Sequence, residues 1–258
     1  MKSHKTEDTK RVTTPEPLER QLGLKDVYAL ATGATLSSGF FLLPGLAAAS
    51  AGSAMPLAYL LGAIILVPGL LSMAELSTAM PRAGGIYYFL DRSMGPLMGA
   101  IGGFGTWISL VLKTAFALVG VGAYLQIFAP ELDMPPIAAG FAIFFGMINY
   151  FGTKKTGSFQ VSLLIGLLVL LVWFCIAGLL QIDGQRFEGV FDSGTAGIIS
   201  TAGLVIVSYM GLTKVASIAE EVKDPGVNLP LGMFLAFGTV VAIYVVGTSV
   251  MVSVVGVE

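Results

Sequence analysis

Gly33-Ala34-Thr35-Leu36-Ser37-Ser38-Gly39-Phe40-Phe41-Leu42-Leu43-Pro44-Gly45 sits inside an apolar run at residues 27–49, and its reading decides the fold. A run of this length suits a helix across the hydrocarbon of a bilayer, which takes about 20 apolar residues. Glycine disfavours a helix by about 1 kcal/mol against alanine, and paired serines offer the backbone competing hydrogen bonds. Ser37-Ser38-Gly39 is therefore the expected place for the helix to unwind. Such an interruption is tolerated in hydrocarbon only where protein buries it or where it lines a cavity. Freed amides beside a half-helix N-terminus suit a carboxylate, and freed carbonyls suit an ammonium group. The competing reading keeps the helix continuous, with Ala29, Gly33 and Ser37 as a small-residue packing face.

Val207-Ser208-Tyr209-Met210-Gly211-Leu212-Thr213-Lys214 repeats the pattern far downstream, with glycine breaking an apolar run ahead of a polar pair. Interrupted helices at matching positions of two repeats are the strongest sequence pointer to a transporter's substrate site. The pair favours unwinding at both places.

Composition supports a membrane setting throughout. Hydrophobic residues make up 55% of the chain, charged residues 12%, and mean hydropathy is +0.85. A soluble domain would carry roughly twice that charged fraction. Seven spans are expected, at residues 27–49, 55–80, 96–128, 136–151, 158–180, 198–217 and 229–255. The third exceeds what a bilayer requires and should tilt or project. With the N-terminus cytoplasmic, all the lysines and arginines except Lys113 and Arg186 fall at or near the cytoplasmic side, and the connections outside are acidic. That distribution predicts a multi-pass protein of the cytoplasmic membrane. Residues 1–25 read as a polar cytoplasmic tail without a cleavable signal, and residues 26–258 as the transmembrane domain. A net charge of −2 gives no reason to expect a nucleic-acid partner. The lone Cys175 and lone His4 provide neither a disulfide framework nor a metal set, and no cofactor is expected.

Three segments, in order and spacing, resemble the amino acid–polyamine–organocation permease superfamily. They are Gly33 to Gly45; Glu75-Leu76-Ser77-Thr78-Ala79-Met80-Pro81-Arg82-Ala83-Gly84-Gly85-Ile86-Tyr87; and Ala219-Glu220-Glu221-Val222-Lys223-Asp224-Pro225 with Asn228-Leu229-Pro230. The resemblance covers nearly everything after Gln21. It implies an all-α membrane protein with a five-plus-five inverted-repeat fold of the LeuT type, helices 1 and 6 interrupted, represented here by about seven helices and C-terminally incomplete. The first repeat would run over about 26–181 and the second would begin at about 196–258. It further implies secondary transport of an amino acid or related amine by alternating access, coupled to a proton or sodium ion or to an exchanged solute. Carried over by position, Ser38 and the Gly39 amide would bind the substrate carboxylate, with Ser37 standing where the family usually has glycine. The carbonyls of Thr35, Val207 and Met210 would receive its ammonium group, and Tyr209, beside Gly211, would gate it. Thr213 stands where the family often has an acid. The absence of charge from Thr156 to Ile182 argues against a fifth-helix lysine acting in proton coupling.

Lys113 is the sharpest anomaly, since a charge at mid-span costs at least roughly 2.5–3.5 kcal/mol and is usually functional. Thr106, Ser109 and Lys113 lie at helical spacing, which would direct the lysine into a polar pathway. It could neutralise an acidic substrate, titrate, or replace a cation; otherwise it snorkels or meets a buried carbonyl. Glu75 and the Glu220–Asp224 cluster read as interfacial and loop residues, and Gly102, Gly103, Gly105, Gly120 and Gly122 as close-packing positions. The alternative to transport is a non-transporting fragment or accessory subunit that needs a partner chain. An intramembrane enzyme finds no paired carboxylates, Ser–His arrangement or phosphate loop.

Overall fold

The computed structural model describes residues 19–131, 133–150, 153–187, 189–192 and 194–255; most of the expected polar tail lies outside the described residues. The chain is helical nearly throughout, because only helices satisfy isolated backbone groups in hydrocarbon. The elements are α1 (Leu24–Phe41), α2 (Leu43–Ala51), α3 (Met55–Ala79), α4 (Ile86–Met94), α5 (Pro96–Phe128), α6 (Met134–Tyr150), α7 (Thr153–Leu179), α8 (Gly194–Tyr209) and α9 (Pro225–Val255). Short 3₁₀ turns fill Gly52–Ala54 and Gly184–Phe187, and a longer 3₁₀ helix, Met210–Glu221, carries α8 onward.

The first span is interrupted, but not where the serines predicted. Residues 37–39 are helical, and the break falls at Leu42 between α1 and α2. Proline supplies the reason. Pro44 has no N–H to offer the carbonyl of Phe40, and its ring disfavours helix in the residues before it. Upstream, Thr35 Oγ1 donates to Ala31 O at 2.6 Å, a bond that follows the helix instead of competing with it. Gly33 lies beside Leu164 of α7, where an added methyl would meet it at ordinary van der Waals distance.

The sixth span changes character as expected: α8 ends at Tyr209 and 3₁₀ geometry begins at Met210. Glycine at 211 lowers helix propensity there, and its hydrogen lets another backbone come close.

Among the described residues, five stretches are long and apolar enough to cross a membrane: Leu43–Ala79, Pro96–Phe128, Gln160–Leu179, Gly194–Glu221 and Pro225–Val254. Met134–Ile148 is a shorter apolar helix. Leu43–Ala79 is not one straight rod. A continuous helix would separate residues 39 and 59 by about 30 Å, yet Tyr59 Oη donates to Gly39 O at 2.9 Å. The chain turns back at Gly52, whose φ of +55° suits glycine. So α1 and α2 together form the first crossing and α3 the second.

The core gathers α1, α3, α8, the Met210–Glu221 helix and α9, with Val27, Leu36, Tyr59, Val205, Tyr209 and Tyr244 fully buried. Helix α5 lies at the periphery, with Phe104, Trp107 and Leu112 more than 60% exposed. Its glycines behave as close-packing positions at Gly102 under Leu90, Gly103 under Tyr87, Gly120 under Leu42 and Gly122 beside Met134, while Gly105 faces open space.

Candidate functional site

The two interrupted spans touch each other where each is unusual. A Cβ on Gly211 would fall onto the carbonyl of Ala34 and within 2.5 Å of the Thr35 nitrogen. One on Gly39 would lie 2.6 Å from Ser208 Cβ and collide with the Tyr244 hydroxyl. The hydrogen of Gly211 thus lets the α8 junction cross α1 backbone against backbone, and that of Gly39 admits the Ser208 and Tyr244 side chains against α1.

Along α1 at this crossing, the carbonyl oxygens are approached by side chains from other helices. Lys113 Nζ of α5 donates to Ala34 O at 2.7 Å. Tyr244 Oη of α9 donates to Thr35 O at 2.7 Å, and Tyr59 Oη of α3 to Gly39 O at 2.9 Å. Nearer the Leu42 break, Tyr124 Oη donates to Phe41 O at 2.7 Å. A carbonyl has two lone pairs, so each can keep its helical bond and still accept a second donor. Away from water, such charged and hydroxyl donors bind more strongly than at the surface.

Three tyrosines close the centre. Tyr59 and Tyr209 stand edge-on to Tyr244, with ring centroids 5.1 and 5.0 Å away, and Tyr209 Oη donates to the carbonyl of Tyr59 at 3.0 Å. Phe40 stacks on Tyr244 with an interplanar angle of 12°. This geometry anchors Tyr209, the expected gate, at its hydroxyl and along its ring edge.

The other expected residues divide. Ser37 lies half-buried, its hydroxyl 3.4 Å from Ala34 O, whereas the side chain of Ser38 lies outside the described residues. The side chains of Val207 and Met210 are exposed, and the Met210 carbonyl accepts the Thr213 hydroxyl at 2.9 Å. On α5, Thr106 donates to Gly102 O within its own helix, and Ser109 is exposed while Lys113 turns inward. The three lie on one side of α5, with Ser109 at the exposed edge of the narrow stripe that the helix buries. Two residues that the sequence did not single out are Thr32 of α1 and Thr201 of α8. Both are buried, and neither hydroxyl has a partner among the described residues. Thr32 lies five residues before Ser37 and Thr201 eight residues before Tyr209, and a threonine in an apolar run gave no other signal.

At one end of the bundle the two loop segments meet. Glu220 Oε2 accepts the Ala83 N–H at 2.9 Å, while Oε1 lies 3.7 Å from the Arg82 guanidinium. Gly85, at φ +50°, brings its backbone against that of Ser217. The chain entering α1 joins them: Gln21 and Leu22 N–H donate to Glu221 O at 2.9 and 3.0 Å, and Lys223 N–H donates to Leu22 O at 2.8 Å.

The family profile described as "Amino acid permease" matches residues 22–258, nearly the whole of the described chain. The chain belongs to the amino acid permease family. It is 26% identical to the branched-chain amino acid permease BcaP of Bacillus subtilis over 92% of this chain and 56% of that protein. It is 29% identical to the serine/threonine exchanger SteT of the same organism, over 90% of this chain and 55% of the relative. An uncharacterized transporter of Mycobacterium tuberculosis is 27% identical over 94% of this chain and 54% of its own length. The chain spans about half the length of the curated relatives it matches. As a permease-family chain with several apolar crossings among the described residues, it is a multi-pass membrane protein.

Proposed function

We propose that this permease carries an amino acid or related amine across the cytoplasmic membrane by alternating access, with the substrate held at the crossing of α1 and the α8 junction. The carbonyls of Ala34, Thr35 and Gly39 carry the reading. They form a row of acceptors inside the protein, each met by a donor from a different helix. Acceptors of this kind suit a substrate ammonium, which would displace the Tyr244 hydroxyl from Thr35 O. The amides at Ser38 and Gly39, which lie within wound helix here, would meet the carboxylate together with the Ser37 hydroxyl only as α1 unwinds at this point during the cycle. Tyr209 would rotate with the α8 junction, and its bond to the Tyr59 carbonyl would be made or broken as access alternates. Val207, Met210, Gly211 and Thr213 would provide the backbone that moves. Thr106 and Ser109 would act along the α5 pathway.

The architecture this reading would need is a first repeat over about residues 26–181 and a second beginning at about 196–258, inverted about the membrane plane as the family resemblance implies. In this reading the N-terminus and the Arg82–Glu220 end would face the cytoplasm, which the lysine and arginine distribution supports. A coupling proton or sodium ion, or an exchanged solute, would drive the cycle.

The test is uptake of labelled amino acids and amines into vesicles containing the full-length product of the native gene. Ser38→Ala and Gly39→Pro should abolish uptake with insertion unchanged. Normal transport by both variants would remove the α1 site.

A further inference from the structure

Arg20, Arg82 and Arg92 come from three parts of the chain: the segment entering α1, the α3–α4 connection, and the last turn of α4. With Tyr88, Glu220 and the turn at residues 79–81 they line a cavity of about 480 Å³. Glu220 is its one carboxylate, and that side chain is already engaged by the Ala83 N–H and Arg82. Among the described residues, Arg20 and Arg92 form no ion pair. The cavity therefore carries an excess of guanidinium charge in a form suited to phosphate, which arginine binds in a bidentate manner.

A second hollow lies across α4. Tyr87, Ala100, Gly103, Phe104 and Trp107 line an apolar groove of about 410 Å³. Tyr87 and Tyr88 are consecutive residues of α4, one lining the groove and the other the basic cavity. One helix, about 10–12 Å wide with its side chains, separates the two. The surface continuing from the groove is apolar, with Leu97 71% and Phe104 69% exposed.

We propose that the cavity and groove together hold an anionic phospholipid, its phosphate on Arg20, Arg82 and Arg92 and an acyl chain along Tyr87 to Trp107. A free phosphate would use only the basic cavity, and a zwitterionic lipid would bring its own cation to compete with the arginines. Basic pockets at the ends of transmembrane helices are known receptors for acidic headgroups. The lipid would brace α4 against α5 beside the loop contact made by Glu220.

The experiment uses the full-length protein in detergent, titrated with phosphatidylglycerol, phosphatidylcholine or inorganic phosphate and followed by native mass spectrometry. Phosphatidylglycerol should be retained at least tenfold better than phosphatidylcholine. Arg20→Gln with Arg92→Gln should remove that preference while leaving the melting profile unchanged. Ala100→Phe, which fills the groove, should weaken phosphatidylglycerol and leave any phosphate binding untouched. Equal retention of the two lipids, or indifference to the double arginine substitution, would overturn the proposal. Phosphate binding as tight as phosphatidylglycerol, with Ala100→Phe without effect, would make this a free-anion site and overturn the lipid assignment.

Discussion

The ammonium of Lys113 rests 2.7 Å from the carbonyl oxygen of Ala34, so α5 places a fixed cation on the helix of the expected substrate site. Snorkelling would carry the charge toward an interface; here it turns inward to a carbonyl one residue from the one proposed to receive the substrate's ammonium. The side chain is half-buried, and the bond offsets part of the cost of holding its charge within the membrane.

Lys113→Gln should therefore alter substrate choice more than folding. Without the fixed charge, the ratio of kcat/KM between acidic and neutral amino acids should change by about tenfold, equivalent to about 1.4 kcal/mol. Uptake of paired substrates by the full-length protein measures it. An unchanged ratio would reduce Lys113 to an anchor between α5 and α1.

The glycines make a sharper structural prediction. Gly211→Ala forces a methyl into the Ala34–Thr35 backbone, which cannot rotate away, and overpacking of this kind costs about 1–3 kcal/mol. Gly105→Ala on α5 meets nothing within 4 Å and should be neutral or slightly stabilising. Thermal melts of the two variants in detergent compare them directly. Equal melting temperatures would mean that the α1–α8 crossing is looser than its geometry.

These residues also mark how far the sequence could be read. The crossings were legible because apolar length and charge spacing act locally: the expected span at residues 96–128 coincides with α5. The first break was displaced from Ser37–Gly39 to Leu42 because the missing N–H of Pro44 outweighed weak serine and glycine propensities. The role of Gly39 was legible only as permissiveness; that it makes room for the Tyr244 hydroxyl depends on a residue 205 positions away in sequence. Tyr59 and Tyr244 were invisible for the same reason. Aromatic residues in apolar runs are ordinary, and only the fold brings their hydroxyls to α1 carbonyls. The loop motifs were easier, since Glu220 and Ala83 both lie in segments with a recognisable pattern.

Tyr244→Phe separates the hydroxyl from the ring. Loss of the bond to Thr35 O should lower stability by about 0.5–1.5 kcal/mol, while the contacts with Phe40, Tyr59 and Tyr209 persist. If that hydroxyl competes with substrate for Thr35 O, KM should fall even as the melting temperature falls. Tyr244→Ala, which empties a fully buried position, should instead cost about 3–5 kcal/mol and abolish transport. A rise in KM with Tyr244→Phe would place the hydroxyl among the groups that bind substrate.

Glu220 has two partners of unequal character, and substitutions can tell them apart. The Arg82 guanidinium is 3.7 Å away on a side chain that is 61% exposed, a geometry worth about 0–1 kcal/mol. The Ala83 N–H bond at 2.9 Å fixes the α3–α4 connection directly. Glu220→Gln keeps an acceptor for Ala83 and loses only the charge, so its melting temperature should stay near that of the parent. Glu220→Ala removes both and should cost about 1–2 kcal/mol more than Glu220→Gln. If this end of the bundle opens during transport, Glu220→Ala should also raise the labelling rate of a cysteine introduced at Ser217, whose backbone packs against Gly85. Equal labelling in both variants and the parent would show that the Glu220 contact does not govern access at this end.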